Sequence, residues 1–205
     1  MNAYAVTPGA GWYLAPEEAE RAIEEKAFGF WLYLMSDAII FALLFATYTV
    51  MRQNYAGGPT AHELFELPRA FIETMLLLSS TLTFGFAATS INAKRKGQAL
   101  VWLLVTFLLG LGFVAMEFSE FRNMIAEGAG PDRSGFLSAF FTLVGTHGLH
   151  VTVGLIWIVI LALEALARGL TPHAASHLYR LGLFWHFLDI VWIGIFSIVY
   201  LPGIL

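Results

Sequence analysis

Residues 100–121 read LVWLLVTFLLGLGFVAMEFSEF, an apolar run in which only the two glutamates carry a charge. An α-helix rises about 1.5 Å per residue, so a run of this length crosses the roughly 30 Å of hydrocarbon in a membrane. Four more runs of comparable or greater length follow the same pattern, at residues 28–51, 71–91, 136–166 and 181–201. The sequence therefore predicts an all-α membrane protein, a bundle of five transmembrane helices.

The composition agrees with this fold class and excludes several kinds of function. Hydrophobic residues make up 58% of the chain and charged residues 13%, whereas soluble domains carry about a quarter charged residues. The chain has no cysteine, which excludes disulfides, thiolate metal sites and cysteine nucleophiles. The net charge is −4 and the longest basic tract is Lys94-Arg95-Lys96, so no nucleic-acid partner is expected.

The distribution of basic residues predicts the domain organisation and the orientation. Residues 1–26 are polar to mixed, and we expect them to lie at the inner membrane surface before a transmembrane domain of residues 27–205. Pro16, followed by two glutamates, predicts the start of a short helix there, with a disordered tail as the alternative. If the N-terminus is inside, the inner segments carry more Lys and Arg than the outer segments. The positive-inside rule therefore favours the N-in, C-out orientation. Residues 1–26 show no cleavable signal peptide pattern, and the short loops predict that consecutive helices pack as antiparallel neighbours.

The ionisable residues inside the apolar runs are the most informative ones. They are Asp37, Glu73, Glu117, Glu120, His147, His150, His186 and Asp189. A carboxylate at the centre of the bilayer costs about 3 kcal/mol. We therefore expect Asp37 and Asp189 to be protonated, hydrogen-bonded or turned toward protein, with an imidazole or an arginine of a neighbouring helix as the partner of Asp189.

The histidines admit two interpretations. His147 and His150 are three residues apart and share a helix face, and His186 and Asp189 repeat this spacing. The histidines could be axial haem ligands or a proton relay, or they could make hydrogen bonds between helices. The bulky aromatic residues around His186 give little indication of a haem slot.

The three glutamates lie toward the predicted outer ends of their helices. One interpretation is a proton exit or a cation site, as in a transporter, and the other is hydration or pairing with Arg69 or Arg122. A transporter is disfavoured because the chain shows no internal repeat and no proline in mid-membrane. Elsewhere in the spans, close helix packing is predicted at Gly110, Gly112, Gly145, Gly148 and Gly154. Anchoring at the membrane interface is predicted for Trp31, Trp102, Trp185 and Tyr200.

Several motifs resemble those of one protein family, subunit III of the haem-copper terminal oxidases. The most specific are GTHGLHV at residues 145–151 and WHFLDIVW at residues 185–192, and LMSDAIIF, MEFSEF and GPDRSGF at residues 34–41, 116–121 and 130–136 add to the match. The resemblance runs from about residue 28 to the C-terminus. The chain departs from the seven-span members in having five spans, and Asp37 stands where the cytochrome c oxidases usually carry glutamate. The chain is most similar to the bacterial ubiquinol-oxidising branch.

The resemblance implies a subunit without catalytic, cofactor-binding or metal-binding residues of its own. It implies haem and copper in a partner subunit I, contacts with subunits I, II and IV, bound phospholipid, and a place in the bacterial inner membrane. The subunit would support assembly, lipid retention and sustained proton uptake by subunit I of a proton-pumping respiratory quinol:oxygen oxidoreductase. The eight ionisable residues above are then candidates for buried polar packing or for a lipid cleft. Alternatives are subunit III of a cytochrome c or menaquinol oxidase, and a haem-binding membrane cytochrome.

Overall fold

The computed structural model describes residues 16–169 and 172–204, and this part of the chain is helical without any strand. The elements are α1 (Pro16–Met51), α2 (Ala61–Leu64), α3 (Leu67–Asn92), α4 (Lys96–Ala126), α5 (Gly135–Arg168), α6 (Pro172–Ile195), a π-helical turn (Phe196–Tyr200) and α7 (Leu201–Ile204). The all-α prediction is confirmed.

Five of the described helical segments are long and apolar enough to cross a membrane. They cover Ala27–Met51, Leu67–Asn92, Lys96–Ala126, Gly135–Ala167 and Ser176–Gly203. Each of them contains one of the five apolar runs in the sequence. The prediction of five membrane-spanning helices is confirmed, and the chain is a multi-pass membrane protein.

The helix that contains the first membrane span extends beyond it toward the N-terminus. The helix that starts at Pro16 runs without a break to Met51, so the predicted short helix is continuous with the first membrane helix. The physical reason is that residues 17–28 contain neither proline nor glycine, the residues that most readily end a helix. The part of this helix that is apolar enough to span the membrane begins at Ala27. Residues 1–15, for which an inner-surface position is predicted, lie outside the described part.

Helix α6 occupies the centre of the bundle. It packs against α1, α3 and α5, while α3 packs on α4 and α4 on α5. Contrary to the expectation for consecutive helices, α1 packs on α5 and α6 and makes little contact with α3. The segment between Met51 and Leu67 is long enough to hold the extra helix α2, and it therefore does not force the two helices together.

Trp185 marks the tightest packing around α6. Its side chain is 1% exposed, and its indole nitrogen Nε1 donates to Ser80 Oγ on α3 at 3.0 Å. A Cβ atom at Gly154 would lie 2.8 Å from the indole ring, and one at Gly110 would lie 3.2 Å from it. The expected packing role of these two glycines is confirmed, because they provide the space for the ring.

Two predicted interfacial anchors are therefore wrong. Trp185 and Tyr200 are each 1% exposed and lie in the protein core. An apolar membrane helix looks the same in sequence whether a given face contacts lipid or another helix, because both environments are apolar. The packing of α6 and of the π-helical turn that follows it against the other helices buries these rings.

Candidate functional site

The buried polar side chains of the described residues lie between helices, and we name three groups of them. The Asp37 pair is Asp37 with His150, and the Asp189 group is Asp189 with Thr81 and His186. The carboxylate cluster consists of Arg69, Glu73, Glu117, Glu120 and Tyr200. His147 lies apart from these groups.

The Asp37 pair connects α1 to α5. Asp37 is 6% exposed, and its Oδ2 lies 3.4 Å from Nε2 of His150. The other ring nitrogen of His150, Nδ1, donates to the carbonyl oxygen of Thr146 at 2.7 Å. Nε2 is therefore the ring nitrogen that faces the Asp37 carboxyl group, and the two polar side chains meet each other and not lipid.

The Asp189 group connects α3 to α6. The Thr81 hydroxyl donates to the Asp189 carboxyl, and Nδ1 of His186 lies 3.8 Å from the same carboxyl oxygen. The expectation of an imidazole or arginine from a neighbouring helix is wrong, because α3 supplies a hydroxyl and the imidazole belongs to α6 itself. His186 departs from the expected buried set, because its side chain is 59% exposed on the surface of the chain.

His147 makes a hydrogen bond between helices. Its side chain is fully buried, and Nε2 donates to the carbonyl oxygen of Leu188 on α6 at 3.2 Å. The ring also packs against Trp192 at a centroid distance of 5.2 Å and against the edge of Phe113 at 5.7 Å. Although His147 and His150 share a helix face, the structure gives them different partners on different helices.

The carboxylate cluster gathers three glutamates between α3, α4 and α5. Glu73, Glu117 and Glu120 are 0%, 3% and 5% exposed. They lie close enough to one another for electrostatic interaction. Their burial favours the predicted pairing with arginine over hydration at the surface of the chain. Gly148 of α5 has no side chain, so α5 can lie directly over Glu117. A Cβ atom at Gly148 would be 2.5 and 2.6 Å from the two carboxyl oxygens of Glu117.

Arg69 and Tyr200 form the polar boundary of this cluster. Nη2 of Arg69 donates to the Met116 carbonyl oxygen at 2.8 Å, and its Nε lies 3.7 Å from Oε1 of Glu73. The Tyr200 hydroxyl donates to Oε2 of Glu120 at 2.8 Å. The expected proximity of Arg69 to the glutamates is therefore found at Glu73, whereas Arg122 is exposed.

The sequence analysis did not predict the hydroxyl groups that accept hydrogen bonds from the tryptophans of α6. Nε1 of Trp192 donates to Thr74 Oγ1 at 3.0 Å, which repeats the bond from Trp185 to Ser80 about two turns away. The signal in the sequence was a pair of tryptophans seven residues apart on one helix and a pair of hydroxyl residues six residues apart on the antiparallel neighbour. Such a pattern points to packing and not to chemistry.

The ionisable groups do not assemble into a metal centre within the part of the chain described. No group of three or more His, Cys, Asp or Glu side chains there has a geometry that could hold a metal ion. The arrangement instead joins helices in pairs, and it leaves a carboxyl-rich interior between α3, α4 and α5.

Comparison with known proteins gives consistent matches over most of the chain. The model of the family described as cytochrome c oxidase subunit III matches residues 19–204. Cytochrome bo(3) ubiquinol oxidase subunit 3 of Pseudomonas putida is 56% identical, over 86% of this chain and 86% of that protein. Quinol oxidase subunit 3 of Bacillus subtilis (strain 168) is 44% identical, over 86% of each. Cytochrome c oxidase subunit 3 of Bacillus sp. (strain PS3) is 44% identical, over 88% and 87% respectively.

Proposed function

Because the chain belongs to the cytochrome c oxidase subunit III family, as its motifs predicted, we propose that it is a non-catalytic structural subunit of a proton-pumping terminal ubiquinol oxidase. One observation supports this role most directly. The buried polar contacts join helices in pairs: Asp37 joins α1 to α5, His147 joins α5 to α6, and Thr81 joins α3 to α6. Polar side chains used in this way hold a membrane bundle together.

The proposed partners are the other subunits of the oxidase. Haem and copper belong to subunit I in this proposal, and subunits II and IV complete the complex. The N-terminus faces the cytoplasm and the C-terminus the outside of a bacterial inner membrane, which puts the basic turn at Lys94 on the cytoplasmic side. The large share of exposed apolar side chains on α1, including Phe28, Ile39 and Leu43, is available to lipid and to these partners.

A groove between α4 and α5 supports the proposed retention of phospholipid. Its volume is about 350 Å³, and its lining is apolar, with Leu103, Phe107 and Ile158 among the lining residues. At the same end of the two helices, Nζ of Lys96 donates to the Leu166 carbonyl oxygen at 3.1 Å. An acyl chain in the groove would place its phosphate near this ammonium group and the adjoining basic turn.

Two alternatives lead to different expectations. A subunit III of a cytochrome c or menaquinol oxidase is supported by the similarity to the Bacillus proteins and differs only in the electron donor. A haem-binding membrane cytochrome is disfavoured by geometry, because both ring nitrogens of His150 face protein oxygens and His186 lies on the exposed surface. His150→Ala is accordingly expected to leave haem content unchanged.

Purification through an affinity tag on this chain tests the proposed function. We expect the tagged chain to bring down haem-containing subunits, and the isolated complex to reduce oxygen with ubiquinol but not with reduced cytochrome c. Oxygen consumption driven by cytochrome c alone would favour the alternative oxidase. Isolation of the chain by itself with stoichiometric haem would overturn the proposal.

Asp37→Leu is expected to impair assembly or sustained turnover more than oxygen affinity. The substitution leaves Nε2 of His150 without its partner inside the membrane, and the loss of such a contact costs about 1–3 kcal/mol. Asp37→Asn keeps a polar partner and should be milder, and Asp132→Leu, at an exposed position, is the control. Complex yield and oxygen consumption over many turnovers are the measurements, and wild-type values of both for Asp37→Leu would contradict the prediction.

A further inference from the structure

The charges of the carboxylate cluster do not balance if every group is ionised. The cluster contains three carboxyl groups, of Glu73, Glu117 and Glu120, and one guanidinium, of Arg69. Full ionisation would leave two negative charges uncompensated in the interior of a membrane bundle. A buried charge without a partner is unfavourable by several kcal/mol, and a carboxylate escapes this cost by taking up a proton.

The surroundings of the cluster supply no other cation from the described residues. Glu66 lies near Glu120 and is itself acidic, and Tyr200 of the π-helical turn is neutral and donates to Glu120. On the α5 side, the cluster contacts Gly148, which has no side chain. The neighbouring residue His147 donates its Nε2 hydrogen to the Leu188 carbonyl oxygen and not to the glutamates. The missing positive charge therefore has no source among these neighbours.

The hydrogen bonds give a second and independent observation. Both carboxyl oxygens of Glu73 and both of Glu117 are buried without a hydrogen-bond partner among the described residues, although these side chains are 0% and 3% exposed. A buried carboxylate normally accepts two or more hydrogen bonds. Carboxyl groups that neither meet a donor nor have a full counter-charge are in the situation that favours a bound proton.

We propose that the carboxylate cluster is a proton-binding site, in which one ionised carboxyl group balances Arg69 and two protons are shared among Glu73, Glu117 and Glu120. The ligand is the proton alone. The ionised position can move among the three glutamates, because each lies within electrostatic range of the others. Arg69, whose side chain is 23% exposed, is the point at which the site approaches the surface.

The proposal goes beyond the role of the chain in an oxidase and does not depend on which electron donor the complex uses. A site of this kind exchanges protons with the surface of the bundle and stores them close to a membrane boundary. The Tyr200 hydroxyl, which belongs to the π-helical turn, donates to Glu120 and holds its carboxyl group in place. Turns of this type are frequent at functional positions of helices.

Infrared spectroscopy of the complex purified through this chain tests the proposal, since protonated carboxyl groups have their own carbonyl band, which shifts in D₂O. Glu73→Gln, Glu117→Gln and Glu120→Gln are each expected to remove one protonated carboxyl group at neutral pH. Sharing predicts an equal loss at all three positions. Glu127→Gln, at an exposed position at the end of α4, is the matched control and should leave the band unchanged.

Arg69→Met provides the opposite test, because removal of the counter-charge is expected to add one protonated carboxyl group. It also keeps the proposal testable if one glutamine variant fails to assemble. An unchanged carbonyl band in all the glutamine variants that assemble, together with no gain in Arg69→Met, would overturn the proposal. If the carbonyl band decreases in Glu73→Gln and Glu117→Gln but not in Glu120→Gln, the protons are fixed on Glu73 and Glu117. That result would overturn the proposed sharing.

Discussion

Trp185→Ala is expected to destabilise the bundle by about 3–5 kcal/mol, the usual cost of deleting a large buried aromatic side chain. The indole fills the space between Gly110 on α4 and Gly154 on α5, and its nitrogen donates to Ser80 on α3. Its removal therefore opens a cavity among four helices and leaves the Ser80 hydroxyl without this donor. The yield and the thermal midpoint of the tagged membrane complex are the measurements.

Trp31→Ala is the matched control for this variant. Trp31 is 49% exposed, so the same change of side chain should create no cavity and alter the midpoint little. Trp185→Phe should fall between the two, because it keeps most of the ring volume and loses the hydrogen bond. Equal thermal midpoints for Trp185→Ala and Trp31→Ala would show that Trp185 does not have the packing role described above.

Gly154→Val is expected to destabilise the bundle by about 2–3 kcal/mol for the opposite reason, overpacking. The first atom of the new side chain would lie 2.8 Å from the indole of Trp185 and 3.3 Å from the ring of Phe184. Neither ring has room to move, because both are buried. The expected result is a lower yield of complex and a lower thermal midpoint.

Gly85→Val serves as the control, since a Cβ atom at Gly85 meets no heavy atom within 4 Å. Both variants place a β-branched residue inside a membrane helix, so the intrinsic helix preference cancels in the comparison. Trp185→Ala combined with Gly154→Val should be less harmful than the sum of the two single changes, because the new side chain partly fills the cavity. Strict additivity would argue against direct contact between the two positions.

The eight ionisable residues show how much of the candidate site could be predicted from the sequence. Their depth in apolar runs predicted that they need partners, and the structure places them between helices, with the exception of His186. Which partner each one finds was not predictable. Asp189 accepts a hydrogen bond from a threonine of α3, and Glu120 accepts one from Tyr200. Tyr200 is distant from Glu120 in the sequence, and the sequence predicts it at the membrane interface.

The five membrane helices and the family could be predicted from the sequence alone, because the length of an apolar run and a rare string such as WHFLDIVW are local properties. The packing of the helices was needed to establish that α6 is central, that α1 packs on α5 and α6, and that Arg69 lies beside Glu73 of the carboxylate cluster. In a membrane, lipid and protein interior are equally apolar, so hydrophobicity does not identify the buried face of a helix. Glycine contacts and hydrogen bonds between helices do so, and they exist only once the helices have come together.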